Sequence, residues 1–321
     1  MTLRILLIGS DNSWRMEAAV ERSFTRLGHT TLLIDDRRMK RKIGRPLTQR
    51  WAKWQAKRFR PDFVFLSKCL ALDPETVIAI IDGKPNAMWY HDPQWHRDLN
   101  RPDIAHIATI GRLARTFFVT GFEAEWRAHG LNALFLPAAG DSGIRPVPPD
   151  RGFASDVAFI GAGYDPDRAK LLCSVARKQD VRVWGPGWDE WKDALNWNGK
   201  SVEGRDFAAV CSSSKIVLGI NPTRAAGGLS YTSDRTWMVM LAGGFYLARR
   251  TRGVAAMLRE GEHCAFYEDA ESCAVECENY LTDPDARNRI RNAGEAFVRA
   301  NHTYDQRVHN LLENREFANP L

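Results

Sequence analysis

Short, unbroken apolar runs alternate with longer amphipathic stretches along most of the chain. Residues 3–8 (LRILLI), Thr31–Ile34, Phe63–Leu66, Ala87–Tyr90, Thr116–Val119 and Ala133–Leu136 are strand-sized and lack a polar face. That is the pattern of parallel strands covered on both sides. Between them the spacing predicts helices. Ser13 caps one over Trp14–Leu27, ended by Gly28; another covers Leu47–Phe59; Asp73 and Pro74 open one reaching Ile81; a last one runs from Gly121 to His129. Asp141–Ser155 (DSGIRPVPPDRGFAS) carries three prolines and two glycines and reads as a linker. The alternation then restarts, with strands at Asp156–Ile160, Val181–Trp184, Ile216–Ile220 and Phe245–Ala248. Asp165 and Pro166 open a helix, Arg235–Leu241 forms a compact one closed by Gly243-Gly244, and Gly253–Arg259, Ser272–Leu281, Pro284–Ala300 and Tyr304–Asn314 finish the chain as helices.

Strand–helix alternation on this scale implies α/β architecture with parallel, doubly wound sheets. Two Rossmann-like domains facing across a cleft are expected: residues 1–145 as the acceptor side and 146–321 as the donor side, with the last helix free to cross back to the first domain. In such sheets ligands bind at the carboxyl ends of strands. The loops Gly9–Ser13, His91-Asp92 and Ala138–Asp141 fall there in the first half; Gly161–Tyr164 and Gly185–Trp188 fall there in the second. No GxGxxG fingerprint is present, since Gly9-Ser10-Asp11-Asn12-Ser13 departs from it.

The stretch from Lys215 to Ala248 is the most informative. A strand runs into a loop rich in Gly, Ser and Thr, then into a helix capped by Ser233 or Asp234. Small residues let an anion approach the backbone, and the helix start presents N–H groups to it. Arg235 would sit in the first turn, where a cation opposes the helix dipole unless an anion offsets it.

The longest apolar runs are far short of the roughly 20 residues that span a bilayer. MTLRILLIGSDNS passes straight from strand to polar turn, so no signal peptide is expected and a cytoplasmic setting follows. The six cysteines form no CxxC pair, and buried reduced thiols are the expectation rather than zinc ligands. Charge is uneven: residues 1–150 carry 23 Lys and Arg against 16 Asp and Glu, the remainder 22 against 23. Arg37–Arg60 holds eleven basic residues, no acid, and Trp51, Trp54 and Phe59 between them. Either this is a solvated helix face, or it is a surface for an anionic glycan, lipid headgroup or nucleic acid.

The motifs DVAFIGAGYDPDRAKLL, VRVWGPGW, SSKIVLGIN, SDRTWMVMLAGGFYLA, FYED and NHTYDQRV occur in the order seen in glycosyltransferases of the GT-B fold. Over residues 156–312 the chain most resembles the branch typified by the spore maturation protein CgeB. The resemblance implies a nucleotide-sugar co-substrate, a UDP-sugar, with no other cofactor and no metal. It implies donor contacts from Gly161, Gly163, Tyr164 and Arg168, from Asn221, and from Ser230, Tyr231, Thr232, Ser233 and Arg235. Base and ribose contacts are implied near Trp184, Gly185 and Glu268, with Asp269 an alternative. Related enzymes often carry an acid where this chain has Met238 and a second eight residues on, where it has Tyr246.

Glycosyl transfer stabilises a leaving diphosphate and takes a proton from the acceptor hydroxyl. His91 or Asp92, at a strand end, is the nominated base, with Asp11 as a second candidate. Ser10, Lys53, Lys57, Arg58 and Trp95 are the acceptor-side candidates. The leading expectation is a metal-independent hexosyltransferase acting on an anionic glycan, lipid or modified DNA base. A nucleotide-sugar epimerase of the same plan and a non-catalytic nucleotide- or nucleic-acid-binding module are the alternatives.

Overall fold

A computed structural model of the protein describes residues 2–92, 101–221 and 231–319. The chain divides into two compact units. One comprises residues 1–137 and 304–318, the other 138–303 and 319–321.

In the first unit, β1 (Arg4–Ile8), β2 (Thr30–Ile34), β3 (Phe63–Leu66), β4 (Asn86–Tyr90), β5 (Phe117–Val119) and β6 (Ala133–Phe135) form a parallel sheet in the order β2-β1-β3-β4-β5-β6. The central strands are buried along nearly their whole length, as their uniform apolar sequence requires. The helices are α1 (Met16–Arg26), α2 (Asp36–Phe59), α3 (Pro74–Ile81), α4 (Pro102–Leu113) and α5 (Glu123–Ala128). Helix α2 begins well before the expected Leu47. Asp35 accepts from the Arg38 amide at 2.7 Å and caps it, so the basic run is helical from its start. The helix kinks at Gly44 (φ 76°), two residues before Pro46, where the regular pattern resumes. Helix α4 went unforeseen, although Pro102 stands at its first turn.

A late helix belongs to this unit. In chain order the remaining helices are α6 (Pro166–Ala176), α7 (Gly204–Ser213), α8 (Asp234–Leu241), α9 (Arg252–Ala255), α10 (Ala270–Thr282), α11 (Pro284–Asn301) and α12 (Tyr304–Glu313). Helix α12 packs on α1, and Arg26 on α1 pairs with Asp305 at 2.8 Å. Arg307, fully buried, donates from Nε to the Pro137 carbonyl at 3.0 Å and stacks its guanidinium 4.3 Å from the Phe317 ring.

The second unit is again a parallel six-stranded sheet, in a different strand order. β7 (Val157–Ile160), β8 (Val181–Trp184), β9 (Asn196–Trp197), β10 (Ile216–Gly219), β11 (Tyr246–Arg249) and β12 (Ala265–Tyr267) form a parallel sheet in the order β12-β11-β10-β7-β8-β9. The Pro-rich segment after residue 141 is laid against this unit: the amides of Val147 and Asp150 donate to Ser212 and Ser213, at 3.1 and 2.9 Å. All six cysteines are unpaired, and five of them are buried. No described helix is long and apolar enough to cross a membrane.

In each sheet the strand order reverses once, between β1 and β3 in the first and between β7 and β10 in the second. Crevices for ligands form at such switch points, outside the carboxyl ends of the strands.

Arg307→Ala should lower the stability of the protein by at least about 2 kcal/mol, because it opens a cavity in the core and strips the Pro137 carbonyl of a donor. Urea unfolding followed by intrinsic fluorescence checks this.

Candidate functional site

At the switch point of the second sheet, two glycine loops close on each other through backbone. The Gly161 amide donates to the Trp184 carbonyl at 2.8 Å, and the Gly163 amide to Pro186 at 2.9 Å. Gly185 has φ 134°, a region that side chains avoid, and a Cβ there would lie 2.3 Å from the Gly161 oxygen. Trp188, fully buried, donates its indole N–H to that same oxygen at 2.9 Å.

Phe159, the penultimate residue of β7, carries two guanidiniums on its ring. Arg168 lies 5.2 Å and Arg235 lies 5.1 Å from its centroid. Arg168 is 6% exposed and spans the switch point, donating to Ala162 O after β7 at 2.5 Å and to Ile220 O after β10 at 3.0 Å. Burial first, and the charge of Arg235 second, pull its pKa down to about 10, which leaves it cationic at neutral pH. Arg168 Nε is buried without a hydrogen-bond partner among the described residues, and so is Arg235 Nη1. Arg235 Nη1 lies so close over Gly161 that a Cβ there would come within 2.7 Å of it. Thr232, also fully buried, has an unpartnered Oγ1. A buried donor left without an acceptor is costly, so these groups suit an anionic ligand laid against the glycine loop.

The start of α8 is less open than its sequence implies. The Arg235 amide already donates to Asp234 Oδ1 at 2.8 Å and to Ser233 Oγ at 3.3 Å. Short acceptor side chains next to a helix start compete for its free amides, so the guanidinium is the stronger anion partner here. Tyr164 is 75% exposed, with Gly187 beneath its ring. Asn221 stands just past β10, and Tyr231 precedes Thr232. Trp184 is in the core at 1% exposure. Glu268 faces solvent and pairs with Arg250 at 2.7 Å, while Asp269 caps α10. Ser230 and Trp95 lie outside the described residues. Met238 is partly exposed, but Tyr246 is buried and its hydroxyl lies 3.0 Å from Thr236 Oγ1. Burial raises that phenol, so Tyr246 is a core residue and supplies no acid.

In the first unit, Ser10, Asp11 and His91 line a cavity of about 550 Å³ at the switch point. Asp11 is held by Arg38, and Ser10 Oγ accepts from the Asn12 amide at 3.3 Å. Asp92 is held by Lys68, and His91 Nε2 stands 3.8 Å from Asp92 Oδ1, a charge contact rather than a hydrogen bond. Burial would raise the Asp92 pKa, but the charges of His91 and Lys68 outweigh it and hold the carboxyl below its ordinary 3.8. Lys53, Lys57 and Arg58 are elsewhere, on the exposed face of α2, with Arg58 stacked 5.5 Å from Trp54. Sequence reasoning missed Phe159, and it missed Glu17, a buried carboxylate on the cavity wall. Neither has a spacing signal; each is marked out only by its neighbours.

The fold of two parallel six-stranded sheets is the GT-B fold of glycosyltransferases. Residues 168–313 match the signature of a family described as glycosyl transferase-like. Among solved structures, HepE from Anabaena in complex with UDP and glucose superposes with a TM-score of 0.66 at 10% identity, over 98% of this chain and 100% of that one. An alpha-glucosyltransferase in complex with UDP and a 13-mer DNA containing an HMU base gives 0.67 at 9%, over 98% and 100%. Sucrose-phosphate synthase from Thermosynechococcus elongatus gives 0.65 at 12%, over 97% and 98%. No curated protein sequence matches the chain.

Because the folded pKa of Asp92 is depressed, its ionisation stabilises the fold above the unfolded value and that stability is lost as pH falls through the folded one. Asp92→Asn should therefore be less stable at neutral pH and show a shallower loss of stability below about pH 4, measured by denaturant unfolding across pH 2–7.

Proposed function

We propose that the protein is a glycosyltransferase that moves a hexosyl group from a UDP-sugar to a hydroxyl of an anionic acceptor. The observation that carries this reading is Arg235, a guanidinium with a buried, unpartnered Nη1 held over the Gly161 loop. The glycosyl transferase-like signature over residues 168–313 supports it, and so does the shared fold of proteins solved with UDP or UDP-glucose. The order of motifs described for the CgeB-like branch agrees. In this reading the second unit, residues 138–303, holds the donor and the first the acceptor.

The chemistry follows from the charges. As the bond from the sugar's anomeric carbon to the diphosphate oxygen breaks, its electron pair leaves on the diphosphate. Arg235 neutralises that charge at the moment it develops, and Arg168 holds in place the two loops that frame it. The acceptor oxygen bonds the anomeric carbon and its proton passes to His91, whose imidazolium the nearby Asp92 carboxylate stabilises. In this reading the leaving charge is taken up by Arg235.

The acceptor side is the basic one. Arg50, Lys53, Lys57 and Arg58 stand on one exposed face of α2, with Leu47 and Trp54, each about half exposed, among them. Cations interleaved with large apolar side chains suit an anionic surface that also admits apolar groups, such as a charged lipid interface or unstacked bases. The apolar Met238, where related enzymes often carry an acid, favours a second reading as a nucleotide-binding module without transfer.

UDP should bind with a dissociation constant in the micromolar range, and Arg235→Ala should weaken it about tenfold or more, the size of one charge-assisted hydrogen bond. His91→Ala should keep UDP affinity and lower UDP-sugar turnover by about 10²–10⁴-fold. UDP binding with no turnover, unchanged by His91→Ala, selects the module instead. Calorimetry and product analysis with labelled UDP-sugars read both.

The native protein's binding to duplex DNA or anionic vesicles should weaken as salt rises, and reversing the charges of Lys53, Lys57 and Arg58 to Glu should abolish it at low salt. Co-sedimentation and gel-shift measurements across a salt series decide it.

A further inference from the structure

The cavity at the switch point of the first sheet has properties of its own. Its lining comes from the ends of β1, β2, β3 and β4. Two buried atoms of its lining residues have no hydrogen-bond partner among the described residues: Glu17 Oε2 and His91 Nδ1. Glu17 is 6% exposed, and its other oxygen accepts from Ser67 Oγ at 2.8 Å. Gly9 makes the room for it, since a Cβ there would stand 2.4 Å from Glu17 Cγ. A carboxylate oxygen shut away from water calls for a donor.

The rim is of opposite character. Arg38 and Lys68 are taken up by Asp11 and Asp92, but Arg15, Arg37 and Arg41 have no ion-pair partner among the described residues. Guanidiniums present forked donors that match phosphate oxygens. A ligand that satisfies both parts brings hydroxyl donors to the wall and an anion to the rim.

We propose that this cavity is the acceptor subsite and that its ligand is a phosphorylated polyol. One hydroxyl donates to Glu17 Oε2, and the phosphate is held by Arg15, Arg37 and Arg41. His91 lines the same cavity, so the ligand's hydroxyls come beside the group assigned as base. This rests on the glycosyltransferase reading and names the acceptor class within it. The same chemistry belongs to a free sugar phosphate and to the headgroup of a polyol phospholipid.

The full chain is titrated calorimetrically with hexose 6-phosphates, hexose 1-phosphates and glycerol 3-phosphate. Free hexoses and inorganic phosphate serve as the two half-ligand controls, and UDP is titrated into the same samples. Vesicles containing phosphatidylinositol, against phosphatidylcholine alone, separate the lipid source from the soluble one. At least one phosphorylated polyol, free or as a headgroup, should bind tenfold or more tighter than inorganic phosphate. The double variant Arg15→Gln/Arg41→Gln, both at exposed positions, should lose about tenfold of that affinity and keep UDP affinity. The proposal is overturned if UDP binds while no member of the panel exceeds phosphate, or if the double variant holds the polyol as tightly as before. Failure of UDP itself to bind removes instead the glycosyltransferase reading, and with it the assignment of this cavity to an acceptor.

Discussion

The close approach of two glycine loops around the Gly161 carbonyl is the constraint on which the second unit depends. Gly185 can stand 2.3 Å in Cβ terms from that oxygen only because it has no Cβ and takes a φ of 134°. With the loops drawn together, Trp188 donates to the same carbonyl from the core below. Phe159 is then left as the platform on which Arg168 and Arg235 both stack. Burial first, and the like charge of Arg235 second, lower the pKa of Arg168. Each keeps one buried nitrogen without a hydrogen-bond partner among the described residues, Nε in Arg168 and Nη1 in Arg235. Arg168 is in addition tied to two carbonyls, which makes it a bridge between the ends of β7 and β10.

The first unit manages charge in another way. Around its switch point, acids and bases are largely matched: Asp11 with Arg38, Asp92 with Lys68, and Asp36 with the Ala71 amide at 2.7 Å. What remains is a carboxylate oxygen on the wall and three guanidiniums on the rim. The two units are both parallel six-stranded sheets, in different strand orders, and their switch points offer different charge balances. One is cationic over glycine backbone, and the other is mixed, with both donors and acceptors left to satisfy.

The strands were legible because a parallel sheet covered on both faces demands apolar runs with no alternation, and β1, β3 and β4 are such runs. The short β9 and β12 were missed because two or three residues have too little periodicity to stand out from loops, and helices α4 and α7 were missed as well. The early start of α2 was missed because its basic stretch has no apolar stripe, and its cap, Asp35, read as the end of a strand. The glycine loops and the placement of Arg235 in the first turn of α8 were legible from the order strand, small-residue loop, helix. Trp184 reads as available because it is an aromatic residue at a strand's end, and burial alone reveals that it is core.

The sequence by itself determined the α/β class, the two-fold repetition of the strand–helix plan, the glycine loops and the concentration of positive charge in the first half. These are local properties, written in periodicity, turn residues and composition. Only the tertiary structure decided which charges are already spoken for. Arg168 and Arg235 are alike in sequence, yet Arg168 is tied to two carbonyls that follow different strands. Asp11 is held by Arg38, whereas Glu17 keeps a buried oxygen without a partner among the described residues. Those differences depend on neighbours brought from distant strands, and no spacing along the chain encodes that.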